Sequence, residues 1–166
     1  MLRTEDIYEE ILSDQMFSSI HNRNCIDNIN QSAEDYNHAC GDRIQVSIHN
    51  EQNVIQEISF TGDCCPSSKL SAVLMTEELA GKTTEEAEIL FKKVLAIITS
   101  GDEYNHYRYD GMLPILIKQL SVISAGRKGR QSTKCILLPW KVMFNALHSK
   151  KVRQVATEKD YSLYLY

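Results

Sequence analysis

Five cysteines, Cys25, Cys40, Cys64, Cys65 and Cys135, are the residues of this 166-residue chain best suited to chemistry. Their number is odd and two are adjacent, which makes a poor disulfide framework, so metal binding or thiol chemistry leads. Cys40 is followed two positions later by Asp42. Gly41 between them lets the chain reverse so that both side chains face one point. Cys65 and Cys135 stand where the pattern places element boundaries, each just ahead of a helix. Three thiolates and one carboxylate form a four-ligand set that suits tetrahedral zinc. Two plainer readings of the residues stay open. Isolated cysteines behave as small buried hydrophobes, and Cys64-Cys65 equally reads as a redox-sensitive vicinal pair or as an accident of sequence.

The elements that must position these residues follow from periodicity. Residues 4–20 read as an amphipathic helix, with Thr4 as cap and Ile7, Ile11 and Leu12 on one face. The Asn-rich stretch from His21 to Asn37 reads as irregular. Ile44, Val46 and Ile48 alternate with polar residues, as do Ile58 and Phe60 beyond the turn at Asn50–Asn53, which predicts an antiparallel pair. Helical spacing runs from Ser67 to Leu79, with Gly81 placed to stop it. Thr83 and Glu86 have capping-box spacing and open a helix through Leu90, Phe91, Val94 and Ile98, ended by Gly101. A further helix is expected around Leu113–Val122, and a last one starts near Pro139, which suits a first-turn position. The order is a helix, a small sheet and a run of helices, hence the α+β class.

Composition narrows the function. Hydrophobic residues make up 43% and charged residues 24%, with a net charge of −4. Those values describe a globular protein. The charge lacks the basic footprint of a nucleic-acid binder. No apolar run reaches the roughly 18–20 residues that span a bilayer. The N-terminus turns acidic at once and has no signal-peptide core, so a cytoplasmic location is expected. Length and pattern suggest one domain over residues 1–149. The tail, 150–166, is charged first and then Tyr/Leu-rich, and its order is left open.

Three blocks resemble a known family. The segment from Asn37 to Ile44, NHACGDRI, resembles the NPxCGDxI signature of the SufU, IscU and NifU-type scaffold family. Residues 60–68, FTGDCCPSS, resemble its FxGxGCxIS block, and residues 134–141, KCILLPWK, resemble KCxxLxWxAL. The blocks occur in the family's order, and the similarity covers roughly residues 5–148. Lys134 stands where IscU-type members carry histidine, and the long stretch between Cys65 and Cys135 looks like the SufU insertion. The resemblance therefore points to a divergent SufU-type member. The departures are His38 in place of proline, Cys64 in place of glycine, changed residues at Pro66 and Ser67, and Ser132 in place of an arginine, with Arg130 two places away.

The resemblance implies a SufE/NifU-like sandwich in which a small antiparallel sheet packs against a layer of helices. It implies zinc held by Cys40, Asp42, Cys65 and Cys135, with Cys40 accepting persulfide sulfur from a cysteine desulfurase of the SufS type. The protein would then act as a sulfurtransferase-like accessory, with downstream cluster-assembly proteins as further partners and neither nucleic acid nor membrane among them. Two rivals follow from the same residues. One is a scaffold that assembles and hands on an iron–sulfur cluster; the other is a binding-only zinc domain that has lost transfer activity. Lys134 and the Arg127–Arg130 run offer positive charge near a ligand set that is formally negative. Cys64 reads as an ordinary neighbour, Cys25 as incidental, and Trp140 as a core anchor. Among the five histidines only His38 lies near the motif residues in sequence.

Overall fold

The computed structural model describes residues 26–100, 116, 119–120 and 130–149. The expected helix over 4–20, most of the one around Leu113–Val122, Cys25 and the tail lie outside these residues. Three strands, β1 (Gln31–Asn37), β2 (Asp42–Glu51) and β3 (Val54–Thr61), are followed by helices α1 (Pro66–Leu79), α2 (Thr84–Ser100) and α3 (Arg130–His148). The strands form an antiparallel sheet in the order β1-β2-β3.

The alternation in β2 does what its pattern dictates. Ile44, Val46 and Ile48 are fully buried on one face, while Arg43 and Gln45 face outward. The β2–β3 hairpin closes through Gln52 and Asn53, both with positive φ (51° and 62°). Two consecutive left-handed residues match the twist of the flanking strands, and asparagine tolerates that conformation well. A register shift between His49 and Asn50 marks a bulge farther from the cysteine motifs.

β1 corrects the sequence reading, which left His21–Asn37 irregular. Its residues, QSAEDYN, show little strand preference, and only its end residues Gln31 and Asn37 are buried. Backbone pairing to β2 from Gln31↔Ile48 to Asn37↔Asp42 makes it a strand. Tertiary context, including the Gln31 side chain donating to the Leu147 carbonyl at 2.9 Å, overrides weak propensity.

The helices cover the apolar face. α1 buries most of its circumference, including Leu70, Val73, Met75 and Leu79, because it packs against both β3 and α3. The capping box of α2 is reciprocal: Thr83 N–H donates to Glu86 Oε2 at 2.8 Å, and Glu86 N–H donates to Thr83 Oγ1 at 3.2 Å. α3 packs on β1, β2, α1 and α2, and its Trp140 and Met143 are fully buried. Each such side chain contributes about 1.5–3 kcal/mol by leaving water. No described helix is long and apolar enough to cross a membrane.

α3 holds the second correction. It begins at Arg130 rather than near Pro139, so Pro139 lies well inside it and Cys135 is a helical residue. Proline there removes the N–H that would bond to the carbonyl four residues back, which belongs to Cys135. The Ser68 hydroxyl of α1 lies 2.9 Å from that carbonyl oxygen and shares its single proton between it and the Asp42 carboxylate. One turn further on, Ser71 Oγ donates to the Ile136 carbonyl at 2.7 Å and accepts from the Trp140 indole at 3.1 Å. These buried bonds dock α3 on α1 and satisfy groups that would be costly to leave unpaired.

Candidate metal centre

The β1–β2 hairpin presents the first two candidate ligands. Its loop runs from His38 to Gly41. The Asn37 carbonyl accepts from Cys40 N–H at 3.2 Å and from Gly41 N–H at 2.8 Å. Gly41 has φ +76°, so it turns the chain where another residue would be strained. Cys40 is exposed at the loop, while Asp42, the first residue of β2, is 3% exposed.

The third block approaches from α3. Cys135 Sγ lies 3.5 Å from Cys40 Sγ. The two sulfurs and an Asp42 carboxylate oxygen all lie within 4.8 Å of one another. Cys135 is buried at 3% exposure.

The second block closes the site. Gly62, after β3, lies so close to β2 that a Cβ there would sit 2.1 Å from the Arg43 carbonyl oxygen. Arg43 N–H bonds to the Asp63 carbonyl at 2.8 Å, which brings the Cys64-Cys65 segment alongside Asp42. Cys65 caps α1 by position, and Pro66 occupies its first turn, where a missing N–H costs nothing. Asp42 Oδ1 accepts from Cys65 N–H at 2.7 Å and Oδ2 from the Ser68 hydroxyl at 2.7 Å. The carboxylate therefore sits at the positive end of α1.

Of the four expected ligands, the structure brings Cys40, Asp42 and Cys135 together and places Cys65 at their edge. The Cys65 Sγ is not within the mutual 4.8 Å of the other three, although its backbone N–H binds Asp42 at 2.7 Å. Cys64 is half-buried and outside the cluster. His38 is exposed and its ring stacks on Tyr36, with centroids 6.2 Å apart. Lys134 is exposed.

Electrostatics distinguish the groups. Burial pushes the Asp42 carboxyl up, but the Ser68 hydroxyl and the Cys65 N–H, with smaller help from the Cys65 and Cys40 thiols, more than offset it. The net pKa lies below the ordinary aspartate value, and the group is ionised. Burial pushes the Cys135 thiol well up, and Cys40, Cys65 and Asp42 add to the effect. Burial likewise pushes Cys64 up to about 11. One exposed and one buried thiol facing an ionised, buried carboxylate form a donor set that would attract a divalent cation, and its softness suits zinc or an iron–sulfur unit.

Sequence reasoning missed two residues here. Asn37 donates its amide to Cys135 Sγ at 3.5 Å, and Ser68 joins Asp42 to Cys135. Both lie within the motif blocks. One-turn spacing from Cys65 was the sequence signal for Ser68; Asn37 carried none, because its place opposite Asp42 depends on the pairing of β1.

A small antiparallel sheet backed by helices, with cysteine blocks converging at one end, defines an α+β fold of the iron–sulfur assembly type. Residues 7–113 match the model of the NifU-like N-terminal domain, and the chain belongs to that family. It is 27% identical over 107 residues to the zinc-dependent sulfurtransferase SufU of Bacillus subtilis (strain 168), covering 64% of this chain and 67% of that one. It is 25% identical over 124 residues to the iron–sulfur cluster assembly scaffold protein IscU of Streptococcus pyogenes serotype M1, covering 75% and 73%. A crystal structure of a candidate SUF-system scaffold protein from Fervidobacterium islandicum AW-1 superposes with a TM-score of 0.65 at 26% identity, covering 83% of this chain and 94% of that one. The family match includes Cys40, Asp42 and Cys65 but stops before Cys135, whose place beside them comes from α3.

Proposed function

We propose that this protein is a zinc-dependent sulfur-transfer protein of iron–sulfur cluster assembly, accepting persulfide sulfur from a cysteine desulfurase. The observation that carries this reading is the pairing of an exposed thiol, Cys40, with a buried thiol, Cys135, and a buried carboxylate, Asp42, at one point. Cys40, Asp42, Cys65 and Cys135 would hold the metal. Bound zinc would keep the thiols deprotonated near neutral pH and hold the corner together.

The chain's own residues divide the work. Asp42, held by Ser68 and Cys65 N–H, and Cys135, rooted in α3, form the fixed side of the site. Cys40 lies in a hairpin loop and is able to turn toward a donor without unravelling a strand or helix. Its thiolate attacks the terminal sulfur of the donor persulfide. The new S–S bond forms on Cys40, the donor S–S bond breaks, and the electron pair leaves on the donor's cysteine thiolate. No outside oxidant is required.

The test is desulfurase turnover with and without this protein, alongside metal analysis of protein purified without chelator. About one zinc per chain and stimulated turnover are expected, with stimulation abolished by Cys40→Ala. Normal stimulation by Cys40→Ala would make another thiol the acceptor, with Cys64 the first to test. The likeness to a protein named as an IscU scaffold favours a second reading, in which the same residues carry a cluster. A brown chromophore that is stable after reconstitution, together with no effect on turnover, would select it.

A further inference from the structure

We infer that Asn37 is the positioning residue that makes Cys135 the retained ligand and leaves Cys40 the one that is released. This deepens the zinc-transfer reading and rests on it. Asn37 ends β1 and is 8% exposed, directly across from Asp42 in the sheet. Its side chain works in two directions. The Nδ2 group donates to Cys135 Sγ at 3.5 Å, and Oδ1 accepts from Ala39 N–H at 3.2 Å. Its backbone carbonyl holds the loop through Cys40 N–H and Gly41 N–H.

The result is an asymmetry between two sulfurs that are 3.5 Å apart. Cys135 receives a buried side-chain N–H, which stabilises its sulfur in the negatively charged form and lowers that sulfur's nucleophilicity toward an electrophile. Cys40 is exposed, and its sulfur is 3.9 Å from the Asn37 carbonyl, an acceptor that does nothing to stabilise a thiolate. Because the loop bonds through Oδ1 and the backbone carbonyl do not involve the Cys40 side chain, Cys40 can leave the centre while the turn persists. One residue thus braces the fixed sulfur and the base of the mobile one.

The test compares wild type, Asn37→Asp and Asn37→Ala as zinc-loaded full-length proteins treated with iodoacetamide. The modification rate of each cysteine is read by mass spectrometry. Asn37→Asp keeps the acceptor for Ala39 N–H and removes the donor to Cys135, but adds a negative charge beside it, so the assignment requires the same rise in the uncharged Asn37→Ala. In wild type, Cys40 should be modified first and Cys135 protected. In Asn37→Asp the Cys135-to-Cys40 rate ratio should rise about tenfold, the scale of a lost hydrogen bond to a charged group. The Cys64 rate should stay unchanged, which a general loosening of the fold would not allow. Asn37→Ala should show the same rise with a lower melting temperature. An unchanged ratio in either variant, or a rise matched by Cys64, overturns the assignment. If wild-type protein holds no zinc, the zinc reading itself falls and takes this inference with it.

Discussion

Cys40 Sγ and Cys135 Sγ lie 3.5 Å apart although 95 positions separate them in the chain. A hairpin loop delivers the first, and the interior of α3 delivers the second. Their meeting depends on how α3 docks, so tests of that docking are also tests of the site.

Removing Cys135 should empty the centre. Cys135→Ser is expected to reduce zinc from about one per chain to well below half, because serine oxygen is a poor replacement for a soft thiolate in a sulfur-rich set. Elemental analysis of protein purified without chelator checks it. Full zinc in this variant would remove α3 from the ligand set.

The adjacent cysteines should behave differently. Cys65→Ser is expected to lower the melting temperature of the zinc-loaded protein clearly more than Cys64→Ser. A lost ligand removes metal-linked folding energy, whereas a half-buried thiol loses only modest packing. Equal shifts would show that Cys65, already at the edge of the cluster, contributes no ligand.

Ser68 should matter more than its size suggests. Ser68→Ala leaves Asp42 Oδ2 and the Cys135 carbonyl without that hydroxyl, both of them buried. A loss of about 1–3 kcal/mol is expected by denaturant unfolding, with unchanged m-value. A loss below about 0.5 kcal/mol would show that the carbonyl freed by Pro139 has another partner.

Two glycines near the site offer a contrast. Gly62→Ala places a Cβ 2.1 Å from the Arg43 carbonyl oxygen at φ +142°, so backbone must move, and roughly 2–4 kcal/mol should be lost. Gly41→Ala meets nothing within 4 Å and bears only the positive-φ penalty, about 1–2 kcal/mol. Melting curves of the two variants give the order. A reversed order would mean that the Cys40 loop is tighter than its open surroundings indicate.

Local patterns in the sequence were enough for much of this protein. The alternation in β2, the Gln52–Asn53 turn, the Thr83–Glu86 capping box and the helical spacing of α1 each depend on neighbours a few residues apart. The cysteine blocks, with Gly41 between Cys40 and Asp42, likewise exposed the family in the residues themselves. Tertiary structure decided the rest. β1 is a strand because β2 supplies its hydrogen bonds, and its polar residues carry no pattern of their own. Pro139 reads locally as a helix start, yet it lies inside α3 because Ser68, from another helix, takes the carbonyl that proline leaves free. Asn37 and Ser68 belong to the site only through contacts across 98 and 26 positions. Periodicity reports which way a side chain points within its own element; which distant group it meets there is set by how the elements pack.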